Sequence, residues 1–185
     1  MKKIMIASDL HGDATCVRKL IDSYERSSAD KLLLLGDLLY HGPRNDLPAG
    51  YAPKEVIAML NDMKDELLCV RGNCDTEVDA MVLSFPILAD YAYICVDDFV
   101  FFATHGHKYN MENLPYLKER EILLHGHTHI SGVTPFGNKN LYVNPGSVSI
   151  PKADTPKGYI LFSDGVLSFR ELDGREYSSV DLSAI

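Results

Sequence analysis

The chain has 185 residues, 46% of them hydrophobic and 24% charged, with a formal net charge of −8. That size and balance predict one globular domain over residues 1–185, with a sizeable core. The acidic excess argues against broad nucleic-acid binding, which needs a basic face to displace counterions, and no apolar run reaches membrane-spanning length.

Met1-Lys2-Lys3-Ile4 starts like a signal peptide, but Asp9 and His11 interrupt the apolar segment at once, so residues 3–8 are expected to form a buried strand. Gly12 and Asp13 then open a helix whose Val17, Leu20, Ile21 and Tyr24 share one face. Lys31 to Leu35 is an apolar run of the kind found in a strand covered on both sides. Residues 38–52 form a long Gly- and Pro-containing loop, and Pro53 opens a second helix through Val56, Ile57, Met59 and Leu60. Residues 67–71 are a third strand, followed by a short helix near 76–83.

After Pro86 the pattern turns to β. Strands are expected at 91–96 and 99–104 around the Asp97-Asp98 turn, then at 121–124, 130–134, 140–143, 158–162 and 165–170. Gly137-Asn138 and Asp164-Gly165 mark turns between them. A βαβαβ first half followed by a mostly β second half predicts a layered α/β sandwich with two stacked sheets. The four cysteines, Cys16, Cys69, Cys74 and Cys95, form no CxxC pair, so reduced thiols in a cytoplasmic protein are expected.

Most apolar runs end in a polar signature: Asp9-Leu10-His11, Gly36-Asp37, Gly72-Asn73, His105-Gly106-His107 and Gly126-His127-Thr128-His129. Their carboxylates, imidazoles and carboxamide suit hard or borderline divalent metals. Strand C-terminal ends in α/β sheets form one ligand-binding rim. The candidate ligands are Asp9, His11, Asp37, Asn73, His105, His127 and His129. That is enough for two ions, with Asp37 as the natural carboxylate bridge.

These signatures, in this order, resemble the calcineurin-like metallophosphoesterase superfamily, whose pattern is DxH, GD, GN[HC][DE], a lone His and GHxH. The His41-Gly42-Pro43-Arg44-Asn45 stretch and the run Asn144 to Lys152 further resemble its YfcE-type group of small bacterial phosphodiesterases. The resemblance implies a four-layer α/β/β/α sandwich with the metal site at the strand C-terminal ends. It places Asp9, His11, Asp37 and His129 on one ion, and Asp37, Asn73, His105 and His127 on the other. Manganese is the expected metal, with Fe, Zn, Co or Ni also suited to mixed N/O donors. Two dications and two carboxylates leave an excess of about two positive charges, which favours a phosphate oxygen. The implied reaction is hydrolysis of a small phosphodiester by a hydroxide held between the ions. The implied catalytic residues are Asn73, Cys74 and His105.

Many relatives have His where this chain has Cys74. Nearby cations would favour a thiolate there, a poor proton donor, so aryl oxides are expected to leave best. Cys74 is otherwise a packed small residue. Arg44 either grips a substrate phosphate or is a solvated loop arginine, and His41 is a substrate contact or a loop cap. His107 is a candidate to support the site from behind, His125 to face the sheet interior or a neighbouring loop, and Asp75 to bond a ligand histidine or start a helix. A phosphomonoesterase or nuclease of this fold is the nearest alternative. A non-catalytic scaffold like the small retromer subunit fits worse, because such members lose part of the histidine set. A nucleotide-binding Rossmann module lacks its GxGxxG. Leu47, Tyr51 and Tyr116 are candidates for a contact between copies in a homo-oligomer or for a pocket wall.

Overall fold

The structure is a computed structural model and describes residues 2–184. Strand β1 (Lys3–Ala7) leads into helix α1 (Ala14–Ser27), then β2 (Lys31–Leu34), α2 (Pro53–Asp62), β3 (Leu67–Cys69) and α3 (Glu77–Ala80). The β-rich remainder comprises β4 (Tyr91–Val96), β5 (Phe99–Thr104), β6 (Ile122–Leu124), β7 (Gly132–Phe136), β8 (Asn140–Asn144), β9 (Gly158–Ser163), β10 (Val166–Glu171) and β11 (Glu176–Asp181). The first sheet runs β11-β10-β9-β1-β2-β3 and the second β4-β5-β6-β8-β7. Both are mixed. Strands β1, β2 and β3 are mutually parallel, as are β5, β6 and β8, with antiparallel strands completing each sheet.

The central strands explain this stacking. On β1, Met5 and Ala7 belong to the core under α1 and α2, while Ile4 and Ile6 belong to the core between the sheets. On β2, Leu32 and Leu34 point to the first core and Leu33 and Leu35 to the second. Alternation sends successive side chains to opposite faces, so an all-apolar strand needs cover on both. The intersheet core is filled from the other side by Phe101, Ala103, Ile122, Leu124 and Val143.

Helix α1 starts where Asp13 accepts a hydrogen bond from the Cys16 amide at 3.0 Å and ends at Ser28, whose φ of 54° is left-handed. Its buried Val17 and Leu20 pack on the sheet, and Ile21 and Tyr24 flank them. A cap of this kind contributes about 1 kcal/mol. The 38–52 loop is tied down at its end: Gly50 accepts from the Ala14 amide at 2.8 Å and Ala52 donates to Gly12 at 2.8 Å.

The expected α/β architecture of two stacked mixed sheets is present, with the candidate ligands gathered at the strand C-terminal ends. Helices are few. Residues 105–121 carry none and lie over the outer face of the second sheet, where Tyr109 packs edge-on against Tyr91 and Phe102. The helix expected near 76–83 is a single turn with a Thr76–Asp79 capping box. The strand expected at 130–134 lies at Gly132–Phe136, and β11 is an additional edge strand. All four cysteines are free.

Candidate metal centre

The first sheet brings Asp9 and His11 from the end of β1, Asp37 from β2 and Asn73 from β3; the second brings His105 from β5 and His127 and His129 from β6. The loops after β1 and β2 continue their parallel ladder, with the Asp9 amide on Gly36 O at 3.1 Å and the His11 amide on Asp37 O at 2.9 Å. Asp9, His11, Asp37, His127 and His129 all have φ between 46° and 66°. Non-glycine residues seldom adopt this region, and it persists where surrounding packing dictates it. The glycines of the signatures make that packing possible. A Cβ on Gly72 would collide with the backbone amide and carboxylate of Asp37, and one on Gly126 would collide with Ser8 Oγ and lie 2.7 Å from Asp9 Oδ2.

The side chains converge. Asp9 Oδ1 lies 3.2 Å from His129 Nε2 and 3.6 Å from His11 Nε2. Asp37 Oδ2 lies 3.4 Å from His105 Nε2 and 3.7 Å from His11 Nε2. Asn73 Oδ1 is 3.1 Å from His105 Nε2. Three ligand-grade clusters result: Asp9, His11 and His129; Asp9, Asp37 and His105; and His11, Asp37 and Cys74. His127 lies apart from these. Its amide donates to Asp9 Oδ2 at 3.0 Å, and its ring sits edge-on to His105 with centroids 5.1 Å apart.

Each fully buried imidazole is oriented from behind. The Nδ1–H groups of His11, His105 and His129 donate to the carbonyls of Tyr40, Leu35 and Ile150 at 2.7, 2.7 and 2.8 Å. This fixes the rings with Nε2 facing the cluster, as metal-ligating histidines require. His11 Nε2 and His129 Nε2 stand only 3.2 Å apart. Asp9 Oδ1 is buried and has no hydrogen-bond partner of its own.

Electrostatics point the same way. Burial alone would raise Asp9, but His11 and His129 outweigh it and hold the carboxyl well below its usual range. Burial would lower His105, but Asp37 and Asp9 lift it to about 9. His11 is raised by the same two carboxylates against its burial. Two buried carboxylates thus demand positive charge at this point, and the donor set fits divalent cations.

A cavity of about 360 Å³ opens over the cluster, lined in part by Asp37, Asn73, Cys74, His127 and His129. Arg44 is on its wall. His41 is not among the lining residues; its ring packs edge-on between Tyr40 and Tyr51. Cys74 Sγ accepts from Asn73 Nδ2 at 3.2 Å.

Residues 1–164 match the sequence profile of the calcineurin-like phosphoesterase superfamily domain. The chain belongs to this superfamily. It is 44% identical over 168 residues to phosphodiesterase YfcE of Escherichia coli K12, covering 91% of each chain. The solved structure of the E. coli phosphoesterase YfcE superposes with a TM-score of 0.93 at 42% identity, over 97% of this chain and 99% of that one. Vacuolar Protein Sorting 29 from Cryptosporidium parvum shares the fold alone, with a TM-score of 0.59 and 19% identity over 97% of this chain and 98% of that one. The chain is therefore a YfcE homologue, and the clustered donors match the divalent metals that a metallophosphoesterase fold implies.

Several residues that are not themselves in the donor set position it. Asp75 neither bonds a ligand histidine nor caps α3, a role taken by Thr76. Its buried carboxylate accepts the amides of Asp37 and Leu38, both at 2.9 Å, and of Gly72 at 2.7 Å, clamping the loops after β2 and β3 together. Three converging amides satisfy a buried carboxylate better than one imidazole could. Ser147 and Ser149 hold the Asp9 carbonyl at 2.8 and 2.9 Å, and Asn144 Nδ2 binds Gly126 O at 2.8 Å. The Asn-Pro-Gly-Ser run is the only sequence signal for these. His125 is buried on the outer face of the second sheet, against the neighbouring loop at Gly106 and stacked on Tyr142 at 3.4 Å, and burial pushes it down to about 3. His107 sits 5.4 Å from the His105 ring, and its buried Nδ1 has no partner. Among the described residues no helix is long and apolar enough to cross a membrane.

Proposed function

We propose that this phosphoesterase works as one domain over residues 1–185 and hydrolyses small phosphodiesters, aryl ones included, with two divalent metal ions. The observation that supports this reading is Asp37, whose Oδ2 lies 3.7 Å from His11 Nε2 and 3.4 Å from His105 Nε2. Asp9, His11, Asp37 and His129 hold one ion; Asp37, Asn73, His105 and His127 hold the other. When bound, the ions, manganese first and Fe, Zn, Co or Ni as alternatives, supply nucleophile activation near neutral pH and charge for phosphoryl transfer.

The chain's own residues position and select. Asn73 lines the cavity that would receive the phosphoryl group, His105 stands buried behind it at 3.1 Å from its Oδ1, and Arg44 on the cavity wall offers a planar fork for an anionic group of the substrate. Cys74 is a poor proton donor in either ionisation state. Bound cations favour its thiolate, whereas burial and the Asp37 carboxylate push the thiol up. Leaving groups that depart without a proton are then favoured. Replacing Cys74 with His should raise activity on an alkyl ester more than on an aryl ester; an equal or smaller alkyl gain removes that role.

Chelator-stripped protein is assayed on bis(p-nitrophenyl) phosphate and p-nitrophenyl phosphate, with and without Mn²⁺. Metal-restored activity mainly on the diester is expected. Activity mainly on the monoester makes the protein a phosphatase, and inactivity with metal bound overturns catalysis.

A further inference from the structure

The cavity over the cluster departs from the charge of the chain. The protein carries −8, yet Asp37 is the only acid on the cavity wall, while Arg44 and Lys152 both line it. Both are exposed, and neither makes an ion pair among the described residues. Their placement is tied to the candidate ligands. The Tyr40 carbonyl holds the His11 ring, and the turn that follows, closed by Asn45 Nδ2 on His41 O at 2.8 Å, carries Arg44. The Ile150 carbonyl holds the His129 ring, and the Lys152 amide then donates to His129 O at 3.0 Å. Each cation therefore hangs from a segment that also orients a ligand imidazole. A diester phosphate carries a single negative charge, and with the hydroxide it balances the excess of about two positive charges that two dications and two carboxylates leave. Two further unpaired cations suit a second anion.

We propose that Arg44 and Lys152 form an anion subsite beside the metal centre, so that the preferred substrates are phosphodiesters bearing a second phosphate on one arm. This rests on the phosphodiesterase reading above.

The test compares thymidine 5′-(p-nitrophenyl phosphate) with the same compound phosphorylated at its 3′ oxygen, using the Mn²⁺-loaded full chain. The leaving group, sugar and base are shared. The added phosphate should raise kcat/KM about tenfold or more, chiefly through KM, as charge-assisted contacts do. The preference should shrink as salt rises from about 0.05 to 0.5 M. Arg44→Gln and Lys152→Gln should each reduce the ratio between the two substrates, and the double variant should bring it close to one. A wild-type ratio near one, with the parent diester still turned over, overturns the subsite alone. Variants that slow both substrates equally also overturn it, by placing the cations on the scissile phosphate. Turnover of neither compound, nor of bis(p-nitrophenyl) phosphate, overturns the phosphodiesterase reading and the subsite with it.

Discussion

The two ends of the sandwich use the same unusual backbone for opposite reasons. At the end away from the ligands, the left-handed conformation falls on Asp97, Lys139 and Asp164, exposed residues in tight turns between antiparallel strands. There it costs little, and short polar residues or glycine supply it. At the other end, besides the exposed turn at Ala153 and Asp154, it falls on Asp9, His11, Asp37 and His129, all 3% exposed or less. Asp and His enter this region more readily than most residues, but burial there needs the surrounding structure to hold them. The conformation is imposed by loops zipped together and by glycines that let backbones touch. Turn geometry at one end serves the fold; at the other the fold is bent to serve the ligands.

Substitutions can break that contrast, beginning with the largest effect. Asp37→Ala should lower kcat/KM on bis(p-nitrophenyl) phosphate by on the order of 10³-fold or more, roughly 4 kcal/mol of barrier. Elemental analysis should show fewer than two ions per chain, whereas Asp97→Ala should change neither quantity. Activity within tenfold of wild type would remove Asp37 from the centre. Asp75→Ala leaves three buried amides without their acceptor and should cost about 2–4 kcal/mol in denaturant unfolding, with metal affinity down about 10–100-fold. Unchanged metal affinity would mean that the clamp does not position Asp37. Gly72→Ala should cost about 2–3 kcal/mol, because its methyl meets fixed backbone. Gly137→Ala, at φ 54° in an exposed turn, should cost only about 1 kcal/mol. Equal losses would erase the distinction between the ends.

What was legible in the sequence follows the same division. Apolar runs gave β1, β2, β5 and β6 because they are covered on both faces, and the polar residues ending them gave the donors. The turns at Asp97-Asp98, Gly137-Asn138 and Asp164-Gly165 were visible through residues that turns need. Strand β11, Glu-Tyr-Ser-Ser-Val-Asp, was not, because an edge strand with exposed faces has no apolar signature. Strand β7 carries Pro135, which reads as a breaker but is tolerated on an edge. Asp75 looked like a cap because a carboxylate just before a helix usually is one. Its three amide partners come from two loops distant in sequence, and only the folded chain brings them together. Lys152 lies in a run whose sequence carries only the family resemblance, and an exposed loop lysine has no signature that marks it as part of a site.

The division of the donors between the sheets has a mechanical consequence. Asp9, His11, Asp37 and Asn73 come from one layer, and His105, His127 and His129 from the other. Ions held by both sets, as proposed above, would act as a rivet through the two layers at one rim, while at the opposite rim the described residues join the layers through packing such as Phe99 on Phe162. Prying the layers apart from the far rim meets the rivet last, so the catalytic end is also the end where the sandwich is hardest to open.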